Sequence, residues 1–181
     1  MASKVDTLLQ HFEAVIKEPW GGTLSLGERM YFLVYDPAEQ RKVDFRRPDF
    51  ESATIRAGKK WENISAEGLF TEWMANNEYR EAYFEDPEAL VDQLEGGFKD
   101  YVIDQISSKL DKLNANENTL VAITDITALF GFCRLSDVLN SIKSNYPGRI
   151  LIFFPGEFEK NHYRLLDARD GWSYLARPIT A

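Results

Sequence analysis

Leu120-Val-Ala-Ile-Thr-Asp125 and Ile150-Leu-Ile-Phe-Phe-Pro-Gly156 are the stretches whose reading decides the fold. Each is a short, unbroken apolar run closed by an acidic or turn-forming residue, the pattern of a strand covered on both faces. Tyr31-Phe-Leu-Val-Tyr35 has the same character. Between the runs the apolar spacing turns helical. Leu69, Phe70, Trp73 and Met74 share one helical face, and Asp86-Pro87-Glu88 opens a further helix carrying Leu90, Val91 and Leu94. Gly96-Gly97 breaks or bends that helix before Phe98, Tyr101, Val102, Ile106, Leu110 and Leu113 resume the spacing, and 135–142 repeats it. Strands separated by helices predict an α/β fold, a mostly parallel sheet flanked by helices.

Toward the N-terminus, Ser3 and Asp6 form a capping-box pattern ahead of Leu8, Leu9, Phe12, Val15 and Ile16, and Pro19 with Gly21-Gly22 stops the helix. Asp36-Pro37 starts a second helix. Residues 46–61 are the least readable part and lead to a weak strand around Ile64. Toward the C-terminus, 163–168 and 173–176 flank Asp170-Gly171, a pair suited to positive φ, which predicts a C-terminal β-hairpin at the sheet edge. We expect residues 1–181 to form a single α/β domain.

The 181 residues are 44% hydrophobic and 28% charged, a globular composition. No apolar run reaches the ~20 residues of a membrane helix. The first residues lack a continuous apolar segment of the signal-peptide type, so a cytoplasmic location is expected. Cys133 is the single cysteine, which excludes an internal disulfide and a cysteine-cluster zinc site. Charge is uneven: 41–60 carry seven basic residues against three acidic, and 61–118 carry fourteen acidic against four basic. Such asymmetry fits oriented docking onto a charged partner, and the acidic stretch makes direct nucleic-acid binding an unfavourable expectation.

Gly22-Thr-Leu-Ser-Leu-Gly27 has the glycine spacing of a phosphate loop, but Glu28-Arg29 stands where Lys-Ser/Thr would hold phosphate and Mg²⁺. The loop also precedes a strand, whereas a phosphate loop follows one. Asp36, Asp125 and Glu157 each sit at the expected C-terminal end of a strand, where α/β folds place ligands. Asp36 in Asp36-Pro37-Ala38-Glu39 also reads as a helix cap. His11 and His162 lack a metal-ligand neighbour at helical spacing, and no Gly-x-Ser-x-Gly elbow exists. Cys133, among Phe130, Phe132 and Leu135, reads as a small buried hydrophobe. No cofactor and no metal is expected.

The order of segments resembles the BrxB family of BREX phage-defence systems. The specific pieces are Arg134-Leu-Ser-Asp-Val-Leu-Asn140, similar to the family's R-x-H-x-L-L-N pattern, and Phe154-Pro-Gly-Glu-Phe158, similar to F-P-G-E-Y. Ser136 stands in place of the histidine and Phe158 in place of the tyrosine. The resemblance implies a small defence component encoded beside an ATPase, a DNA methyltransferase and the phosphatase-like PglZ. It therefore implies a non-enzymatic adaptor that docks onto other BREX components, PglZ first among them. Arg134 and Asn140, polar positions on an otherwise apolar helix, are the candidate contacts. The alternative is a degenerate nucleotide- or phosphate-binding domain using Asp36, Asp125 or Glu157.

Overall fold

The computed structural model describes residues 2–142, 146–168 and 171–181. Helix α1 (Lys4–Ile16) opens with the full capping box: the Asp6 amide donates to Ser3 Oγ at 3.2 Å, and the Ser3 amide donates back to the Asp6 carboxylate at 2.9 Å. Strand β1 (Met30–Tyr35) is buried along its whole length. Asp36 then caps a 3₁₀ turn over Pro37–Glu39, accepting from the Ala38 amide at 2.9 Å, and α2 (Gln40–Arg56) follows. This helix runs straight through Pro48, inside the segment that the sequence left unreadable. Pro48 lies on the solvent side, where losing one backbone hydrogen bond is least costly, and Val43, Phe50, Ala53 and Thr54 hold the inner face.

Strand β2 (Lys60–Ser65) leads to α3 (Leu69–Ala75), α4 (Arg80–Glu85) and α5 (Glu88–Gln93). A widened π turn at Leu94–Phe98, containing Gly96-Gly97, bends the chain into α6 (Lys99–Lys112). Strand β3 (Thr119–Thr124), α7 (Leu135–Ser141), β4 (Arg149–Glu159), β5 (His162–Leu165) and β6 (Arg177–Ile179) complete the order.

The sheet runs β2-β3-β4-β1-β6, every neighbouring pair parallel, and β5 adds antiparallel to the far end of β4. Alternate residues feed two cores. Phe32, Val34, Val121, Ile123, Ile150, Ile152 and Phe154 face α3, α6 and α7, whereas Tyr31, Leu33, Leu120, Ala122, Leu151 and Phe153 face α1 and α2. Burial on both faces is why the strands read as continuous apolar runs.

Two expectations are corrected in detail. Strand β4 does not stop at Pro155-Gly156. Pro155 is its last partner to β1, through Tyr35, and from Gly156 onward the same strand pairs with β5. The final edge strand exists, but it is not half of a hairpin: β6 lies parallel to β1. The tight antiparallel hairpin is instead β4–β5, with a two-residue loop of Lys160 (φ 50°) and Asn161 (φ 63°), positive at both positions as a right-twisted hairpin requires. Asp170 of the expected turn lies outside the described residues; an antiparallel bridge between Tyr163 and Trp172 joins the flanking segments. Among the described residues, no helix is long and apolar enough to cross a membrane.

Candidate functional site

The chain leaves β1 toward α2 on one face of the sheet and leaves β3 toward α7 on the other, so the connections diverge around the carboxyl ends of β1, β3 and β4. In parallel α/β sheets that divergence opens the crevice in which ligands bind. A cavity of about 590 Å³ lies there, lined by Lys4, Tyr35, Asp36, Glu39, Glu157 and Phe158 among others. The structure thus brings Asp36 and Glu157 to one cavity. Both are exposed and already engaged: Asp36 caps Ala38 and faces Lys4 Nζ at 3.9 Å, and Glu157 faces Arg164 at 3.7 Å.

Asp125 sits apart from that cavity's walls, at the end of β3 and over the edge strand's Ser65. Its backbone is left-handed (φ 61°), a conformation that Asp tolerates, and its carbonyl accepts from the Ala128 amide at 3.0 Å to close a 3₁₀ turn. The carboxylate is a hub. Arg47 Nη2 donates to Oδ1 at 2.6 Å, and Ser65 Oγ and Thr124 Oγ1 donate to Oδ2 at 2.7 and 2.8 Å. Arg47 also pairs with Asp44 at 2.7 Å, and its guanidinium lies 5.9 Å from the centre of the Phe153 ring. Partial burial pushes the Asp125 carboxyl up, but the donated bonds of Arg47, Ser65 and Thr124 outweigh it and hold the group below the ordinary carboxylate value. An ionised carboxylate with both oxygens occupied is a tie between α2, β2 and β3, poorly placed to act as a base.

Sequence reasoning singled out Asp125 but missed its partners. Arg47 was visible only as one charge of a basic segment, and nothing in the linear pattern places α2 over the end of β3. The same packing pairs most of the basic residues of the 41–60 segment. Lys42 pairs with Glu39, Arg46 with Asp6 and Asp49, Arg56 with Glu13, and Lys60 with Glu62, while Lys59 lies over the Trp20 ring at 4.5 Å. The Gly22–Gly27 segment lies at the opposite, amino-terminal end of the strands, beside Asn118 and Arg149. It shares no cavity with Asp36, Asp125 or Glu157.

Arg134 and Asn140 occupy the two ends of α7. Both are exposed, and neither makes a side-chain hydrogen bond or ion pair with a described residue. Leu135, Val138 and Leu139 anchor the helix instead. Beside Arg134 opens a second cavity, of about 330 Å³, lined by Phe130, Cys133, Leu135, Leu165 and Trp172. Burial, then the nearby Asp137 and Glu95 carboxylates, push the Cys133 thiol up to about 11, so it sits in the wall as an unreactive apolar group. Among the described residues no group of three His, Cys, Asp or Glu side chains is arranged to hold a metal ion.

Fold and site together define a parallel α/β protein whose strand-end carboxylates are engaged within the fold and whose Arg134 and Asn140, on an outer helix, are not. A family model described as BREX protein BrxB matches residues 61–177, and the chain belongs to the BrxB family. The match covers β2 through the start of β6, including α7 and both cavities' β4–β5 walls. Family membership makes the protein a BREX component and associates it with antiviral defence. No curated protein and no solved structure matches the chain.

Proposed function

We propose that the protein acts as a non-enzymatic adaptor within a BREX defence complex, docking onto other BREX proteins, PglZ the first candidate, through the exposed side of α7. The observation that carries this reading is the contrast between Arg134 and Asp125. Arg134 is exposed on the wall of the mostly apolar second cavity with no bonded partner among the described residues, whereas the Asp125 carboxylate at the end of β3 is occupied by three donors within the fold. A guanidinium next to an apolar recess suits a partner carboxylate flanked by an apolar side chain.

The test is co-purification of tagged protein with PglZ and the other proteins of its defence cluster, run beside phage plaquing. Arg134→Glu should abolish complex and restriction while leaving the melting temperature unchanged. Intact complex and restriction in that variant would remove α7 as the docking surface, and failure of the parent chain to retain any BREX protein at any salt would remove the adaptor reading. The switch-point cavity is the one feature that favours the alternative, a degenerate nucleotide- or phosphate-binding domain. Calorimetric titration with ATP–Mg²⁺ decides it: the adaptor reading expects no heat of binding, and low-micromolar affinity lost on Glu157→Ala, in the wall of that cavity, would reverse the assignment.

A further inference from the structure

Residues 75–97 are the longest stretch of the described chain without a buried side chain. They carry α4 and α5, six residues each, and neither helix buries a residue. Helices shorter than ~12–15 residues have little stability of their own and take it from packing an apolar face. These two pack almost none.

The stretch is nonetheless rich in large apolar groups held outward. Tyr79 is 59% exposed, Phe84 64% and Val91 59%, and the Tyr79 and Tyr83 rings lie 6.5 Å apart. Aromatic side chains displayed on a helical arm with no core behind them are the anatomy of an interaction surface. The surrounding charge has one sign. Glu78, Glu81, Glu85, Asp86, Glu88, Asp92 and Glu95 accompany a single base, Arg80, which pairs with Glu81. The other six carboxylates have no ion pair among the described residues. On α2 the opposite holds, with most charges neutralised inside the fold.

We infer that α4–α5 is a second contact surface of the adaptor, and that it receives a Lys/Arg-rich face of another BREX protein, whose apolar pockets take Tyr79 and Phe84 while its cations meet the six unpaired carboxylates. The inference rests on the adaptor reading and adds the chemistry of the partner. A polyanion such as nucleic acid would be repelled by this surface, and a neutral partner would leave the carboxylates without function.

The experiment uses the full chain, tagged and co-expressed in turn with each other protein of its defence cluster, followed by titration of the purified partner at 0.1 M and 0.5 M salt. Tyr79→Ala/Phe84→Ala should weaken the complex at least tenfold at both salts. Glu85→Lys/Glu88→Lys should weaken it at least tenfold at 0.1 M salt and less at 0.5 M, because screening removes the attraction that it reverses. Neither variant should shift the melting temperature by more than about a degree or two, since all four side chains lie outside the core. A partner bound equally by parent and both variants overturns the inference; if Arg134→Glu loses that same partner, the adaptor reading stands without it. A parent chain that retains no BREX protein overturns both.

Discussion

Replacing Arg47 with Met keeps the side chain's length and its packing over Phe153 but removes both hydrogen bonds to Asp125 and the pair with Asp44. A hydrogen bond to a charged group contributes about 1.5–3 kcal/mol net. Two features of the site bound the loss. The Arg47 and Asp125 side chains are 27% and 24% exposed, so solvent screens part of the attraction. Ser65 and Thr124 keep donating to the carboxylate, so the variant does not suffer the ~3–5 kcal/mol of a fully abandoned buried charge. We therefore expect a loss of about 2 kcal/mol, read as a fall in the urea midpoint at constant slope. Asp125→Asn should cost a similar amount, and the double variant should reveal a coupling of about 1–2 kcal/mol. Acid adds an independent check. Because the folded Asp125 carboxyl is held below its unfolded value of about 3.9, its contribution is present above that pH and is lost as pH falls through the lower folded value. The gap between parent and Arg47→Met should thus be flat from pH 7 to 5 and should shrink below about pH 4. A coupling under about 0.5 kcal/mol, or a gap as wide at pH 3 as at pH 7, would refute the view of Asp125 as a structural tie.

Ile123 is 1% exposed in the middle of β3, so Ile123→Asp should bury an unpaired charge at a cost comparable to the ~5–15 kcal/mol of a whole domain, leaving no cooperative melt by circular dichroism. A Cβ added at Gly156 would lie 2.0 Å from the Arg164 carbonyl oxygen, so Gly156→Ala should push β4 and β5 apart and cost at least ~2 kcal/mol in a denaturant titration, despite adding one methyl group. With its thiol near 11, Cys133 is about one part in a thousand thiolate at pH 8, so iodoacetamide should label it slowly in the folded protein and readily in urea; equal rates would contradict its placement in the cavity wall.

The strands covered on both faces were legible because double burial leaves no polar alternation to confuse the pattern, and β1, β3 and the first half of β4 fall where their apolar runs predict. The second half of β4 was hidden by Pro155-Gly156. Proline there ends pairing to β1, and glycine lets β5 approach, so residues that ordinarily close a strand serve to change its partner. Helix α2 starts close to where Asp36-Pro37 predicts, but its continuation past residue 46 was hidden by Pro48 and by a polar surface that reads as loop. The edge strand β6 has three residues, too few for any periodicity. For the site, the strand-end position of Asp36, Asp125 and Glu157 followed from their place after apolar runs. Their partners did not, since Arg47–Asp125 and Ser65–Asp125 are separated by 78 and 60 residues and depend on how helices lie across the sheet.

The strand order also sets a timetable for synthesis. Strand β1 is among the most apolar segments of the chain, yet both its neighbours come late: Met30 pairs with Ile150, 120 residues downstream, and Tyr31 with Arg177, 146 downstream. At ~5–20 residues per second a ribosome needs roughly 6–24 s to supply the first of those partners. Throughout that interval Met-Tyr-Phe-Leu-Val-Tyr can shelter only under α1 and α2, with both its hydrogen-bonding edges open to other nascent chains. Production in cells should accordingly respond to chaperone supply and to growth temperature far more than the stability of the finished sheet would suggest.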